Sequence, residues 1–277
     1  MKTRTLNNGP FSFCHRVATM CVALLVFALL IGSSSAFGGA AQSPTSEPER
    51  SLFCGLWRVD DGFVSTIRIK NSLVVGPIEV TPVLYTAEGT EYVLPTIRLA
   101  ATAVATVNIN ATLARINGGH GEGFGSAALR YRYPTPGHVL GSMEILNERK
   151  SLIFTYPFSG VENSAASQHR QTWEGLWWKH TPAISGFVNL SNTLDRELEV
   201  TLQAIGAAGT KLASQVVRVP GHASRFFEMK DLTAGLTGVE AQAGGLHVEF
   251  TGPHGALLLA GGLLNEGLWS APLKLDR

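Results

Sequence analysis

The sequence predicts an all-β protein made of two antiparallel β-sandwiches in tandem, and three observations predict it. Short segments alternate apolar and polar residues, and turn signals separate them at a spacing of roughly 8–12 residues. One half of the chain resembles the other half at a nearly constant offset. Charged residues make up only 16% of the chain while glycine is abundant, which suits short strands and tight turns.

The repeat is visible when the sequence is aligned with itself. Gly55–Trp57 recurs as Gly175–Trp177, and Ile78–Thr90 recurs as Leu198–Thr210, both at an offset of 120 residues. Solenoid repeats are much shorter, at roughly 20–50 residues, so a repeat of this length is a whole domain. We therefore expect an internal duplication of one sandwich.

The N-terminus has the layout of a secretory signal peptide. Basic residues precede an uncharged apolar run, Val17–Ile31, and the small residues Gly32–Ala36 follow it. The run is shorter than the roughly 20 residues that span a bilayer. We expect cleavage between about Ala36 and Ala41 and an extracytoplasmic protein that is secreted, periplasmic or on the cell surface, with an uncleaved membrane anchor as the alternative.

Composition and the repeat together predict the domain boundaries. Residues 37–50 and 161–171 are polar and lack apolar periodicity, which is typical of linkers. The predicted organisation is a signal peptide at 1–36, a disordered linker at 37–50, the first sandwich at 51–160, a linker at 161–171 and the second sandwich at 172–277. We expect each copy to close its own core, so that residues 171–277 fold alone.

Apolar–polar alternation and β-rich runs predict about seven strands in each copy, and no long helix. In the first strand, for example, Ile67 and Ile69 lie on one face and Arg68 lies on the other. The strands predicted in the first copy are Thr66–Lys70, Ile78–Thr86, Thr96–Leu99, Val104–Ile109, Ser126–Tyr133, Val139–Leu146 and Ser151–Phe158. Those predicted in the second copy are Phe187–Leu190, Leu198–Ile205, Gln215–Val219, Ser224–Met229, Leu246–Phe250, Ala256–Leu264 and Leu268–Leu275.

Two segments of the second copy, Val188–Thr210 and Val217–Met229, resemble the immunoglobulin-like and fibronectin type III-like modules of exported bacterial proteins. The resemblance is general and covers most of residues 55–277. It implies two tandem immunoglobulin-like antiparallel β-sandwiches, outside the cytoplasm, in a spacer, adhesion or assembly role. The Cys…Trp…Cys pattern of true immunoglobulin domains is absent, and no site residue is carried over from the resemblance.

The sequence contains no constellation typical of a catalytic or metal site. Histidines are scattered without an HxH or HExxH arrangement, and no Gly-x-Ser-x-Gly elbow occurs. The formal charge of +1 does not favour nucleic acid as a partner. After removal of the signal peptide Cys54 is the single cysteine, which we expect to be a buried apolar residue, with a reactive thiol as the alternative. We expect no enzyme activity, no cofactor and no metal.

Two groups of residues are candidates for contact with a ligand or partner. Trp173 and Trp178 lie at the start of the second copy, where exposed indole rings would form a platform for sugars. Packing between the two domains is the alternative. The second group follows an apolar strand in both copies and is either a hairpin turn or a paired functional site: it comprises Asn147, Glu148, Asn265 and Glu266.

These observations predict a non-enzymatic secreted or cell-surface protein that acts in interaction or as a scaffold. The predicted partner is another exported protein or a surface polysaccharide. The alternative is a carbohydrate-binding accessory module that uses the exposed tryptophans. Membrane contact is expected only through an uncleaved signal anchor.

Overall fold

The computed structural model describes residues 47–116, 123–161, 169–179, 184–234, 243–265 and 272–273. The predicted signal peptide, most of the linker 37–50 and the candidate Glu266 lie outside these residues. Within them, no helix is both long enough and apolar enough to cross a membrane.

The described chain consists of eighteen strands and two short helices, so the predicted all-β class is confirmed. The first copy contains β1 (Glu49–Arg58), β2 (Val64–Asn71), β3 (Ile78–Thr86), β4 (Glu91–Val93), β5 (Ile97–Leu99), β6 (Val104–Asn108), α1 (Ile109–Ile116), β7 (Phe124–Arg132), β8 (Val139–Asn147), β9 (Leu152–Pro157) and β10 (Ser159–Gly160). The second contains β11 (His169–Lys179), β12 (Ile184–Asn192), β13 (Leu198–Gly206), β14 (Lys211–Val219), β15 (Ser224–Glu228), α2 (Met229–Leu232), β16 (Ala243–Gly252), β17 (Leu257–Asn265) and β18 (Pro272–Leu273).

These strands form four antiparallel sheets, two in each copy. Sheet A has the order β10-β1-β7-β3, with β4 and β5 both paired to the free edge of β3, and sheet B has the order β6-β2-β8-β9. Sheet C has the order β11-β16-β13-β14, and sheet D has the order β15-β12-β17-β18. Sheets A and B enclose a first hydrophobic core, and sheets C and D enclose a second.

The two copies repeat one strand order and one register. Ile78 of β3 pairs with Leu99 of β5, and Leu198 of β13 pairs with Val219 of β14, at the same offset of 120 residues. This agreement is what an internal duplication would produce. The duplication itself stays a prediction.

Local sequence accounts for most of the strands. In β2, Ile67 and Ile69 are fully buried as predicted, because successive side chains of a strand point to opposite faces. At several boundaries, pairing with long neighbours extends a strand beyond its predicted start. β1 begins two residues before the predicted start at 51, and β11 begins within the predicted linker 161–171. β14 begins four residues before the predicted Gln215.

Among the predicted strands that end a residue early, the one through Ile109 has a clear local cause. The alternation predicts a strand through Ile109, whereas β6 ends at Asn108 and Ile109 begins α1. The Asn108 side-chain oxygen accepts a hydrogen bond from the Ala111 amide at 2.9 Å, as a helix-capping side chain does. The cap therefore overrides the β pattern at this position.

The two sandwiches meet along a buried junction within the compact unit Glu47–Arg277. The first core includes Phe187 and Ala260, which belong to the second copy. Phe154 of β9 packs edge-on against Phe187 with ring centroids 5.5 Å apart. The first core therefore extends into the second copy at β12, which is buried on both faces, whereas the residues of the second core all belong to the second copy. That residues 171–277 fold alone stays a prediction.

Polar contacts also hold the junction. The carbonyl oxygen of Gly55 accepts hydrogen bonds from Asn189 Nδ2 at 2.6 Å and from Ser191 Oγ at 2.8 Å. Tyr156 Oη donates to the carbonyl of Gly261 at 3.0 Å. A Cβ on Gly55 would lie 3.2 Å from the Leu258 side chain, so the backbone of β1 approaches sheet D closely.

Candidate functional site

The repeated asparagines at the ends of β2 and β12 have a structural role. Asn71 Nδ2 donates to the carbonyls of Gly76, Leu99 and Ala100, and Asn71 Oδ1 accepts from the amide of Leu73. Asn192 repeats all four contacts in the second copy, with distances from 2.7 to 3.0 Å. Each side chain is buried and uses its hydrogen-bonding groups inside its own fold.

The candidate Asn147 is the last residue of β8 and directly precedes the hairpin turn to β9. Its side chain is fully buried, donates to the carbonyl of Asp61 at 2.9 Å and accepts from the amide of Lys150 at 3.1 Å. Its neighbour Glu148 is exposed. Asn265 is the last residue of β17, but its side chain is outside the described part, as is the whole of Glu266. The paired functional site therefore stays a prediction.

The two candidate tryptophans are placed differently. Trp173 is half-buried and packs against the second hydrophobic core. Trp178 belongs to β11, where its backbone pairs with Gly244, and its side chain lies outside the described part. The predicted platform of two exposed rings therefore stays a prediction, and its first ring is partly used in packing.

A charged groove that the sequence reasoning did not identify lies on the outer face of sheet A. It has a volume of about 680 Å³ and is open to solvent. Strand alternation places its polar residues, because outward positions of β1, β3, β5 and β7 lie side by side. Its charged residues are Glu47, Glu49, Glu79, Arg98, Arg130 and Arg132.

Cross-strand pairing sets the order of charges across the groove. Glu49 is opposite Arg132, and Glu79 is opposite Arg98. Arg132 and Glu49 form an exposed ion pair at 3.7 Å. Arg98 has no carboxylate within 4.0 Å among the described residues. Its guanidinium is thus available to a ligand.

Arg130 lines the groove and is held in place by hydrogen bonds. Its guanidinium donates to both carboxylate oxygens of Glu91, at 3.1 and 2.7 Å, and to Tyr85 Oη at 2.5 Å. Because of these contacts the pKa of Glu91 lies below its ordinary value and the pKa of Arg130 lies above it. Burial raises the pKa of Tyr85. The groove therefore keeps fixed charges near neutral pH.

The second copy covers a neighbouring part of this face. Val83, Tyr85 and Ala128 form a small buried cluster beside the groove, where Tyr85 contacts Arg130. The His222 ring stacks on Tyr85 with centroids 4.6 Å apart. The amide of Ser224 donates to the carbonyl of Ala87 at 3.0 Å. The second copy thus covers part of this face next to the charged groove.

One signal in the sequence could have located part of this groove. The alternation in Ser126–Tyr133 already places Arg130 and Arg132 opposite an apolar face. Glu79 and Arg98 become their neighbours only through pairing between distant strands. Within the described residues, no group of three or more histidine, cysteine, aspartate or glutamate side chains could hold a metal ion.

Comparison with known proteins gives little further information. No protein-family model matches the chain, and no curated protein matches it significantly. A solved structure of a candidate secreted protein from Parabacteroides distasonis is similar over 86% of this chain and 84% of its own, at 11% identity and a TM-score of 0.24. A TM-score of this size does not establish a common fold.

Proposed function

We propose that this is a non-enzymatic extracytoplasmic interaction protein that binds a partner protein through the charged groove on sheet A. The observation that supports it best is the ordered alternation of Glu49, Arg132, Glu79 and Arg98 across neighbouring strands. Charges fixed in this way favour partners with a complementary pattern and reject others. The extracytoplasmic location rests on the N-terminal sequence.

The lining of the groove favours a protein over a polysaccharide as the partner. Sugar-binding surfaces commonly offer exposed aromatic rings for stacking. Tyr131, which borders the groove, is buried, and Tyr133 is half-buried with its ring against His138 at 4.4 Å. Arginine, in contrast, is enriched in protein interfaces. The groove offers three arginines and carboxylates in alternation.

The same geometry supports a binding role rather than acid–base catalysis. A general acid or base needs a pKa near the working pH. The contacts of Arg130 shift the pKa of Glu91 downward and that of its own guanidinium upward, away from neutrality. Both groups are therefore suited to holding a charge and unsuited to exchanging a proton.

The test compares capture of proteins from the exported fraction of the source cells. We expect the immobilised mature chain to retain one or more specific proteins and an Arg98→Ala/Arg132→Ala variant to lose them, because two exposed guanidiniums of the groove are removed. The retained proteins should also be lost as salt is raised.

The matched control removes the same two charges from sheet B. Arg68 and Lys70 are exposed on its outer face, so an Arg68→Ala/Lys70→Ala variant should retain the same proteins. Equal loss in both variants would show nonspecific charge binding. Turnover of any substrate by the purified chain, abolished by the groove substitutions, would overturn the non-enzymatic role.

A further inference from the structure

The free edges of sheets A and C differ, although they occupy equivalent places. In sheet A the edge consists of two strands of three residues, β4 and β5, separated by Leu94–Thr96. In sheet C the edge is the single nine-residue strand β14. The two segments, 91–99 and 211–219, align at the offset of 120 residues.

Proline explains why the first edge is interrupted. Pro95 has no amide hydrogen and cannot continue a ladder, and Leu94 beside it turns inward and is buried. Natural proteins often protect sheet edges with prolines, because an intact edge pairs with other strands. The second copy has Gln215 at the position of Pro95, and β14 contains no proline.

The centre of β14 is open on both faces. Ser214, Gln215 and Val216 are three consecutive exposed residues, and Val216 is 58% exposed. Adjacent residues of a strand point to opposite faces, so both sides of the strand are accessible at these three residues. No described strand pairs with the outer edge of β14.

The charges of β14 permit pairing with a second β14. An antiparallel two-fold arrangement centred on Val216 places Val216 opposite its own copy, Gln215 opposite Val217 and Ser214 opposite Arg218. Arg218 thus meets a hydroxyl rather than a like charge. Its charge is also balanced within its own chain by Glu197 and Glu199, whose oxygens lie 3.9 and 3.8 Å from its Nε.

The same register avoids a clash at the other end of the strand. Regular pairing of β14 with β13 runs from Val219 to Ala213, and the register shifts before Lys211. In the arrangement centred on Val216, residues 213–219 pair completely, and Lys211 lies beyond the paired segment. The valines on the axis would form a β-branched cross-strand pair, which stabilises sheets.

We propose that β14 is a homodimerisation edge, which pairs antiparallel with β14 of a second copy of this chain and joins two copies of sheet C into one eight-stranded sheet. The proposal is independent of the charged groove, which lies on sheet A. Paired edges remove the exposed hydrogen-bonding groups that a single copy presents.

Sedimentation analysis of the mature exported chain tests the oligomeric state over about 1–100 μM. We expect a dimer whose dissociation constant rises about tenfold or more in Gln215→Pro, which copies the proline of the first edge. Val216→Lys should weaken it similarly, because two ammonium groups would meet on the axis. Val93→Lys is the matched control: Val93 is 55% exposed on the interrupted edge, and its variant should remain dimeric.

Disulfide trapping identifies the surface involved. Val216→Cys should form a disulfide-linked dimer under mild oxidation, and Val93→Cys should not. Cys54, the remaining cysteine after the predicted cleavage, is buried, and burial raises its pKa to about 12, so it does not compete. Val216 is exposed, so its variants should retain the wild-type circular dichroism spectrum even if Gln215→Pro does not.

Three outcomes would overturn the proposal. The first is a wild-type chain that is monomeric at every concentration. The second is a dimer that persists unchanged in folded Val216→Lys. The third is equal trapping at positions 216 and 93.

Discussion

Sheets B and D have the same place in the two copies, yet their outer faces are opposite in character. On β2 the outward residues Thr66, Arg68 and Lys70 face solvent or are half-buried. The aligned residues of β12 are Phe187, Asn189 and Ser191, and all three are buried. The first set carries two charges and the second set carries none.

The difference follows from what each face contacts. Arg68 forms an exposed ion pair with Glu144 at 3.0 Å, which contributes little to stability. Asn189 is fully buried against the backbone of Gly55. The outer face of this strand is thus exposed to solvent in the first copy, on β2, and buried against the other copy in the second, on β12. Whether this face is exposed or buried is therefore determined by what packs against it and not by the strand order.

The largest effect is expected when the charged residue of sheet B is placed in sheet D. Asn189→Arg would bury an unpaired charge in the junction, and we expect a loss of about 4 kcal/mol in the free energy of unfolding. Urea denaturation measures it. The reverse exchange, Arg68→Asn, should change stability by less than about 0.5 kcal/mol. Similar losses in both variants would contradict the difference between the faces.

The second prediction concerns the buried asparagines, which make equivalent hydrogen bonds in the two copies. Asn71→Ala and Asn192→Ala each leave three carbonyls and one amide without their partner, so we expect about 2–3 kcal/mol of destabilisation from either. Thermal unfolding with the exposed helix cap Asn108→Ala as reference should give about 1 kcal/mol for the cap. Clearly unequal losses of stability at positions 71 and 192 would show that the two asparagines make the same contacts but contribute differently to stability.

A smaller loss of stability is expected when a single hydrogen bond of the junction is removed. Tyr156→Phe removes one buried hydrogen bond, from Tyr156 Oη to the carbonyl of Gly261, and should cost about 1–2 kcal/mol by chemical denaturation. Burial raises the pKa of Tyr156, so the phenol stays a donor at moderately alkaline pH. Tyr92→Phe, on the half-buried Tyr92, is the control. No difference between the two variants would mean that the junction bond contributes nothing.

The smallest effect concerns pH. Because Arg130 lowers the pKa of Glu91 in the fold, this pair stabilises the protein above the ordinary pKa of 4.5 and loses its effect as the pH falls through the lower folded value. Glu91→Gln should therefore destabilise the protein near pH 7 by less than about 1 kcal/mol, since the pair is partly exposed. The gap from wild type should close near pH 3. A gap that is constant with pH would exclude this ion pair as its cause.

Much of the fold could be predicted because strand patterns are local. Alternation placed Ile67 and Ile69 inside, and the self-alignment predicted two similar halves. The charged groove could not be predicted in full, because Glu79 meets Arg98 only after β3 and β5 pair. Only its two arginines on β7 could be placed outward from the sequence alone.

The junction was missed for a different reason. The expectation of two separate cores assumed that outward residues face solvent. Phe187 shares its face with Asn189 and Ser191, and Phe226 of the neighbouring β15 stacks on it at 5.0 Å. An apolar residue on an otherwise outward face was the available signal. What covers that face depends on residues more than a hundred positions away.

That separation along the chain has a consequence for how the protein folds. The bonds of Gly55 and Gly261 across the junction join residues 105 to 136 positions apart, whereas hairpins such as β8–β9 and β13–β14 close short loops. Closing long loops costs more entropy, and long-range contacts generally form late. We expect the junction to dock after the folding barrier. Weakening it should then accelerate unfolding and shorten the lifetime of the native protein, while the rate of folding changes little.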